Sequence, residues 1–179
     1  MNPERCEFMA GNVEIKIVPR VSEPTLHLIG GDVGPFEAGV PATVPLWLAI
    51  MLKQKHHCHV VVPTWLSVDE LKAMLTAEND HLGLSHLPPY FFEICHMLVR
   101  DAQDDIPDNE QVKSLIKDIY DKRDAKLRTS AISFLSQSDN CHARLDAVQP
   151  LEVASSRTTL FACKKIAMMV RNKHEVVPH

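Results

Sequence analysis

Between Gly30 and Pro45 the chain sets four glycines (Gly30, Gly31, Gly34, Gly39) and three prolines (Pro35, Pro41, Pro45) within sixteen residues. Glycine opens positive φ and proline holds φ near about −65°, so this density prescribes one particular backbone path and leaves no room for a long helix. Short regular pieces flank it. Upstream, Val13, Ile15 and Ile17 alternate with Glu14 and Lys16, the period of a half-buried strand, and Leu26, Leu28 and Ile29 suggest a second strand stopped by Gly30-Gly31. Downstream, 46–55 (LWLAIMLKQK) reads as a short helix opened by Pro45, with Lys53 and Lys55 at the negative end of its dipole. Cys58 to Val62 reads as one more strand. Residues 1–62 therefore form a small β-rich unit. About 60 residues bury little core, so this unit is expected to lean on something else.

Residues 63–173 read as helical. Ser67 and Glu70 form a capping box for a helix that runs to about Glu78. His81 to Pro88 is a linker. Pro89 can start the next helix, which carries Tyr90, Phe91, Ile94, Met97 and Leu98 on one side, and Pro107-Asp108 punctuates its end. The best-defined element follows, from Asn109 to about Gln137, with Asp108 as N-cap and Gln111 at N3. Its apolar residues Val112, Leu115, Ile116, Ile119, Tyr120, Leu127, Ala131, Phe134 and Leu135 fall mostly three and four apart. Asp118–Lys122 and Asp124–Arg128 are i,i+4 pairs on its wet side. At roughly 29 residues it would span about 43 Å, more than a compact domain this small, so part of its flank should face another chain. Pro150 argues against one continuous helix over Leu145–Val153, and a last helix is expected from about Arg157 to Arg171, capped by Ser155 or Ser156. Residues 174–179 read as a frayed tail. The fold class is α+β: a small β-rich domain (1–62), then an all-helical domain (63–173) with one long helix.

Composition excludes several classes. No run of about eighteen apolar residues exists to span a membrane, and the charged N-terminus lacks the apolar core of a signal peptide. Five cysteines, odd in number and never in C-x-x-C spacing, point to a reducing compartment. A net charge of −4 is wrong for a dedicated nucleic-acid binder, and two Tyr and six Phe are too few for a base-stacking platform.

Each candidate for chemistry has a plainer reading. His56-His57-Cys58-His59 invites metal, but on a strand His57 and His59 face away from Cys58, and no second ligand pair stands at structural-zinc spacing. A polar helix-to-strand junction is favoured. The Gly30-Gly31-Asp32-Val33-Gly34 loop matches neither phosphate-binding glycine motif, Asp32 would repel a phosphate, and Pro35 removes the helix N-terminus that would attract one. Cys58-His59, Cys95-His96 and Cys141-His142 are sequence neighbours without an oxyanion loop. Asp104-Asp105 sits in a turn and reads as solvated. The sequence therefore supports no catalytic, cofactor-binding or metal residue.

Arg123, Lys126 and Arg128 are more informative. Arg123 lies in register with Ile116, Ile119, Tyr120 and Leu127, and an arginine on an apolar stripe must be paired with a carboxylate or with backbone carbonyls. Together with Phe134 these residues are the expected subunit interface, and Arg123→Ala is expected to weaken assembly without unfolding the helices. Gly30, Gly31, Asp32, Gly34, Pro35 and Phe36 are the expected partner-facing or structural loop. Trp47 reads as core, and Trp65 as packing at the seam between the two units.

Four motifs in order, LIGGDVGPFEAGVPATVPLWLAIMLKQK at 28–55, VVPTWLSVDELKAM at 61–74, IPDNEQVKSLIKDIYDKRDAKLR at 106–128 and HARLDAVQPLEV at 142–153, span nearly the whole chain. They resemble the GINS complex family of eukaryotic DNA replication, in its second-subunit (Psf-two) type. The chain departs from that family at HHCH (56–59), where the family is richer in Lys and Arg, at Pro150, and in its short tail. The resemblance implies one of four paralogous subunits of a heterotetramer, with three other GINS subunits as partners. It implies that the tetramer joins the minichromosome-maintenance helicase ring and the Cdc-forty-five protein and helps recruit the leading-strand DNA polymerase. DNA would be met only weakly or through the complex, and no membrane. It further implies a non-catalytic scaffold without cofactor, in the nucleus at the replication fork, whose helices pack on sister subunits and whose N-terminal domain, with the glycine-rich loop, meets the ring. Two other readings stand beside it: a stand-alone adaptor binding a protein through the Gly/Pro surface, and a DNA-binding module using Lys164-Lys165 and Arg171-Lys173, which the acidic balance disfavours.

Overall fold

The computed structural model describes residues 2–136 and 147–156, with side chains described up to Ser130 in the first of these segments. The chain opens on a helix, α1 (Pro3–Ala10), where sequence periodicity pointed only to strands. Pro3 starts it, the Asn2 carbonyl accepts from the Arg5 and Cys6 N–H groups, and Cys6 and Ala10, four apart, are its buried contacts. Its large apolar residues, Phe8 and Met9, are exposed, which hides the helix from a pattern search.

Strand β1 (Glu14–Pro19) is the centre of a three-stranded antiparallel sheet, with β4 (Ala42–Pro45) on one side and β5 (Cys58–Val60) on the other. Ile15 pairs with Val44 and Ile17 with both Ala42 and Val60, so the inward row of the strand pattern makes the sheet's buried face. Strands β2 (Leu26–Leu28) and β3 (Gly31–Val33) form a separate hairpin that turns at Ile29-Gly30. The dense Gly/Pro segment supplies the backbone this path needs. Gly31, Gly34 and Gly39 have φ of 131°, 106° and 82°, and the Gly34–Pro35 peptide is cis. Phe36 is drawn inward by a two-bond bridge to Glu23.

Helix α2 (Leu46–Gln54) lies between this sheet and the helical half, with Leu46, Leu48, Ala49, Ile50 and Leu52 buried. Pro45 is its N-cap. Helix α3 (Val68–Asp80) begins as its capping box dictates, the Ser67 hydroxyl accepting from the Glu70 N–H at 3.4 Å. Helix α4 (Phe91–Asp101) starts after Tyr90, which takes a left-handed φ of 56°, rather than at Pro89. It is the hub: Phe91, Phe92, Ile94, Cys95, Met97 and Leu98 are buried, and α1, α2 and α5 all pack on it. Helix α5 (Asn109–Ser136) is 28 residues long and lies along α3. A final described helix, α6 (150–156), starts at Pro150. Ser155 and Ser156 are therefore inside a helix rather than capping one, and Ser155 Oγ donates back to the Leu151 carbonyl at 2.9 Å. The helix expected at 157–171 lies outside the described residues, as do the Lys164-Lys165 and Arg171-Lys173 clusters.

One hydrophobic core runs without a break from Ile15 and Ile17 through Leu48 and Leu98 to Val112 and Ile119. The β unit leans on the helices of its own chain. Trp65 packs tilted against Phe91 at 5.3 Å, and the aromatic chain continues edge-to-face through Phe92 to Tyr120. Trp47, expected in the core, is 40% exposed instead, because α2 turns Leu46, Leu48, Ala49 and Ile50 inward and leaves Trp47 and Met51, four apart, on its outer side. Among the described residues no helix is long and apolar enough to cross a membrane.

Candidate interface

Helix α5 has two halves with different surroundings. Along the first, Val112, Leu115, Ile119 and Arg123 form one inward row at spacings of three and four, all buried. Ile116 and Tyr120 flank it, half-buried. Beyond Arg123 no described side chain of α5 is buried: Lys126 and Leu127 are partly covered, and Arg128, Thr129 and Ser130 are exposed. Arg128 pairs with Asp124 at 2.8 Å. The Phe134 side chain lies outside the described residues.

The inward row ends on a charge. The Arg123 side chain has 0% exposure and uses its full set of donors. Nε donates to Glu152 Oε1 at 2.6 Å and Nη2 to Glu152 Oε2 at 3.0 Å, a forked pair. Nη1 reaches Glu78 Oε2 at 3.1 Å and the Ser85 carbonyl at 2.9 Å, and Nη2 also reaches the Ala147 carbonyl at 2.7 Å. One guanidinium thus ties α5 to α3, to the α3–α4 loop and to α6. Glu152 also accepts from the Gln149 N–H at 2.8 Å, satisfying the backbone donor of the residue just before α6. This pairing is the one an arginine on an apolar stripe demands, but every partner belongs to the same chain. Arg123 has no surface left to offer another subunit, so its contribution to an interface can only be the positioning of α5, α3 and α6.

Lys126, one turn on, completes the cluster. Its Nζ donates to Glu78 Oε1 at 2.7 Å, to the Glu78 carbonyl, and to the His81 and Gly83 carbonyls at 2.7 and 2.8 Å. Ser85 contributes both its N–H, at 3.0 Å, and its hydroxyl to Glu78 Oε2. Burial alone would push the Glu78 carboxyl up; the bonds from Lys126 and Ser85 and the charge of Arg123 outweigh it and hold the carboxyl below its ordinary value. Arg123 is opposed by burial in the same way, and Glu152 and Glu78 hold it firmly protonated.

A second ionic junction fastens the β unit to the helices. Asp105, expected to be solvated, has a side chain only 6% exposed. Its Oδ1 accepts from Lys53 Nζ at 2.8 Å and from His59 Nδ1 at 2.9 Å, and its Oδ2 from the Val60 N–H at 2.8 Å. Burial raises this carboxyl, and those bonds more than offset it, bringing it below its ordinary value. Arg20 donates to His59 Nε2, which leaves Nδ1 to carry the ring proton toward Asp105. His59 is thus a link between Arg20 and Asp105, while Cys58 points inward with its thiol toward the Ala49 carbonyl.

The glycine-rich loop divides as well. Gly30, Gly31 and Asp32 are at the exposed hairpin end, with Asp32 bonded to His27 at 2.8 Å and Ile29 fully exposed at the turn. Gly34 and Pro35 shape the return, and Phe36 is an internal anchor.

Comparison with known proteins places these features in a family. Residues 2–61 match the PSF2 N-terminal domain, and residues 65–165 match the GINS complex protein helical bundle domain. A probable DNA replication complex GINS protein PSF2 of Caenorhabditis elegans is 59% identical over 179 residues, covering 99% of each chain. The DNA replication complex GINS protein PSF2 of Homo sapiens is 40% identical over 161 residues, covering 89% of this chain and 86% of its own. The Schizosaccharomyces pombe protein is 31% identical over 156 residues, covering 87% and 83%.

Proposed function

We propose a function from one premise: this chain belongs to the PSF2 family of DNA replication complex GINS proteins. It acts as a non-catalytic scaffold subunit of a GINS heterotetramer, with three sister subunits as its direct partners. Through that assembly it joins the minichromosome-maintenance ring and the Cdc-forty-five protein in the nuclear replicative helicase, and reaches the leading-strand polymerase and DNA only indirectly.

The observation that carries this reading is the mismatch between α5 and its surroundings. At 28 residues α5 is about 42 Å long, whereas α3, the helix along which it lies, has 13 residues and spans about 20 Å. Among the described side chains the inward row of α5 ends at Arg123, and the described stretch after it presents Leu127 and Arg128 beside exposed polar residues. A helix twice the length of the one it lies along, with a partly apolar stretch left open among the described residues, fits a partner surface of the kind obligate complexes supply. On this reading Leu127, Arg128 and Phe134 are direct interface residues, Ile116 and Tyr120 line its edge, and Ile119, Arg123 and Lys126 hold the helix in place. Exposed Ile29 at the hairpin turn and Trp47 with Met51 on α2 are the N-terminal surfaces offered to the ring.

The test is the native mass of the chain expressed alone and with the other three subunits. A stable 1:1:1:1 assembly is expected. A folded monomer that ignores the other three would overturn the scaffold reading and leave an adaptor working through the Gly/Pro surface.

A further inference from the structure

The three-stranded sheet has β1 at its centre and β4 and β5 as its edges, and register decides which backbone groups those edges turn outward. Ile15 stands opposite Val44 and Ile17 opposite Ala42, and two residues on the Leu46 N–H donates to the Val13 carbonyl at 2.8 Å. Residues 42, 44 and 46 therefore bond to β1, and Pro41, Thr43 and Pro45 face outward. Two of those three have no N–H to offer an incoming strand. On the other side the Arg20 N–H donates to the His57 carbonyl at 2.6 Å and the Val61 N–H to the Lys16 carbonyl at 2.9 Å, so residues 57, 59 and 61 bond to β1 and Cys58, Val60 and Val62 face outward. This second edge carries the β-branched run Val60-Val61-Val62, a composition suited to pairing with another strand. Its Val60 N–H is already taken: Asp105 Oδ2 accepts from it at 2.8 Å, reaching across 45 residues from the helical half. Lys53 Nζ and His59 Nδ1, at 2.8 and 2.9 Å, fix the same carboxylate in place through Oδ1.

We propose that Asp105 is an edge guard: it occupies the outward donor of β5 and holds the Gln103–Asp105 turn over that edge, so that a second copy of this chain cannot add its own Val60–Val62 run there. The excluded occupant is a second copy because each copy carries the same run, and two such edges can pair antiparallel about a two-fold axis. The two edges are closed by different means, proline on β4 and a charged side chain on β5. Proline is permanent, whereas the β5 guard is a side chain from another part of the chain and can be removed without touching the sheet. With both edges closed, a partner of the β unit approaches its hairpin or its faces and adds no strand to the sheet. The role concerns the lone chain and holds whether or not the scaffold reading does.

The experiment uses the full-length chain alone. By residue-resolved hydrogen exchange the Val60 amide is expected to exchange at least about tenfold more slowly than the Thr43 amide, the outward donor of the opposite edge, because its acceptor is charged. Equal rates would overturn the guard. Sedimentation velocity then compares three variants. Asp105→Asn keeps an acceptor for the Val60 N–H, and Lys53→Met keeps the carboxylate and removes its cation; both are expected to self-associate no more than wild type, even where they melt earlier. Asp105→Ala is expected to self-associate at about tenfold lower concentration than wild type, and adding Val62→Pro, which deletes the next outward donor, is expected to reverse this. Self-association that tracks lost stability across all three variants, or that survives Val62→Pro, would make Asp105 a structural ion-pair partner only and overturn the guard. An Asp105→Ala chain that sediments as wild type would overturn it too. If Asp105→Ala does not fold, the exchange contrast between Val60 and Thr43 in the wild type decides.

Discussion

Arg123 and Glu152 meet as a buried fork, with Nε and Nη2 at 2.6 and 3.0 Å from the two carboxylate oxygens, across 29 residues of sequence. Removing the arginine would leave Glu78 and Glu152 buried, negative and facing the same gap. Glu78 would keep Lys126 and Ser85, but Glu152 would lose its only cation among the described residues, and deleting one partner of a buried pair costs about 3–5 kcal/mol because the charge left behind is neither solvated nor paired. Arg123→Ala should therefore destabilise the lone chain by that order in urea denaturation. The sequence pattern alone suggested a variant that weakens assembly and spares the helices; the geometry makes the loss of fold the primary effect. Arg123→Lys should rescue little, since a lysine cannot reproduce the fork or reach all of the oxygens now bound. An Arg123→Ala chain as stable as wild type would show that the network contributes nothing net.

Glu93 is the opposite case. It lies on α4 at 2% exposure, and neither carboxylate oxygen has a hydrogen-bond partner among the described residues. Burial is the main influence, and the nearby charge of Glu152 adds to it; the backbone N–H groups of Glu93 and Leu151 oppose them without prevailing, so the carboxyl is raised above its ordinary value of 4.5. The folded state then holds this proton more tightly than the unfolded chain. Stability from Glu93 is present at low pH and declines as pH rises from about 4.5 through the raised value. Relative to Glu93→Gln, the wild type should lose stability steadily across that window, measured by denaturation at pH 4 to 8 (about one point per unit). Parallel stability curves for the two proteins would refute a buried, raised carboxyl. Glu78 and Asp105, both lowered, contribute the reverse dependence in both proteins and cancel in the difference.

How much of this was readable beforehand depended on the range of the interaction. The start of α3, the strand at β1 and the apolar helix α2 follow from caps and periodicities within a few residues; α5 begins where the pattern puts it, but Asp108 stands at a left-handed φ of 50° and only its backbone carbonyl, not its side chain, accepts from the first turn. Arg123 on an apolar stripe announced a buried acceptor, but its partners are 45 residues upstream and 29 downstream, and only the fold brings them together. A signal did exist: Glu78 occupies the same stripe of α3 as Leu71, Met74 and Leu75, an acidic residue where an apolar one belongs. Asp105 gave no such sign, since an aspartate after another aspartate in a turn looks solvated until Lys53, His59 and the Val60 N–H converge on it. Trp47 misled for the converse reason. On a helix apolar nearly all round, hydrophobicity does not say which side faces the sheet.

The glycines of the opening motif should separate cleanly by backbone need. Gly34 has φ of 106°, and a Cβ there would come within 3.4 Å of Thr25 Cα and the Phe36 nitrogen. Gly30, in the same loop, lies outside the left-handed region and has open space on its side-chain face. Gly34→Ala should cost about 1–2 kcal/mol from conformation alone, with crowding added. Gly30→Ala should stay within about 0.5 kcal/mol of wild type. Thermal melting of the two variants side by side measures the contrast, and equal effects would mean that the loop does not hold the path described.

The same separation of fold from assembly governs α5. Ile119 is fully buried in the chain's own core, next to the Phe92–Tyr120 contact, so Ile119→Asp places an unpaired carboxylate where no water reaches. It should abolish assembly, but by unfolding the lone chain, and therefore says nothing about the interface. Leu127, one turn beyond Arg123 and only half-covered, is the discriminating position. Leu127→Glu should leave the lone chain's circular dichroism and melting temperature close to wild type while removing it from the four-subunit peak on a sizing column. If Leu127→Glu melts as early as Ile119→Asp, the second half of α5 belongs to the chain's own core and does not await a partner.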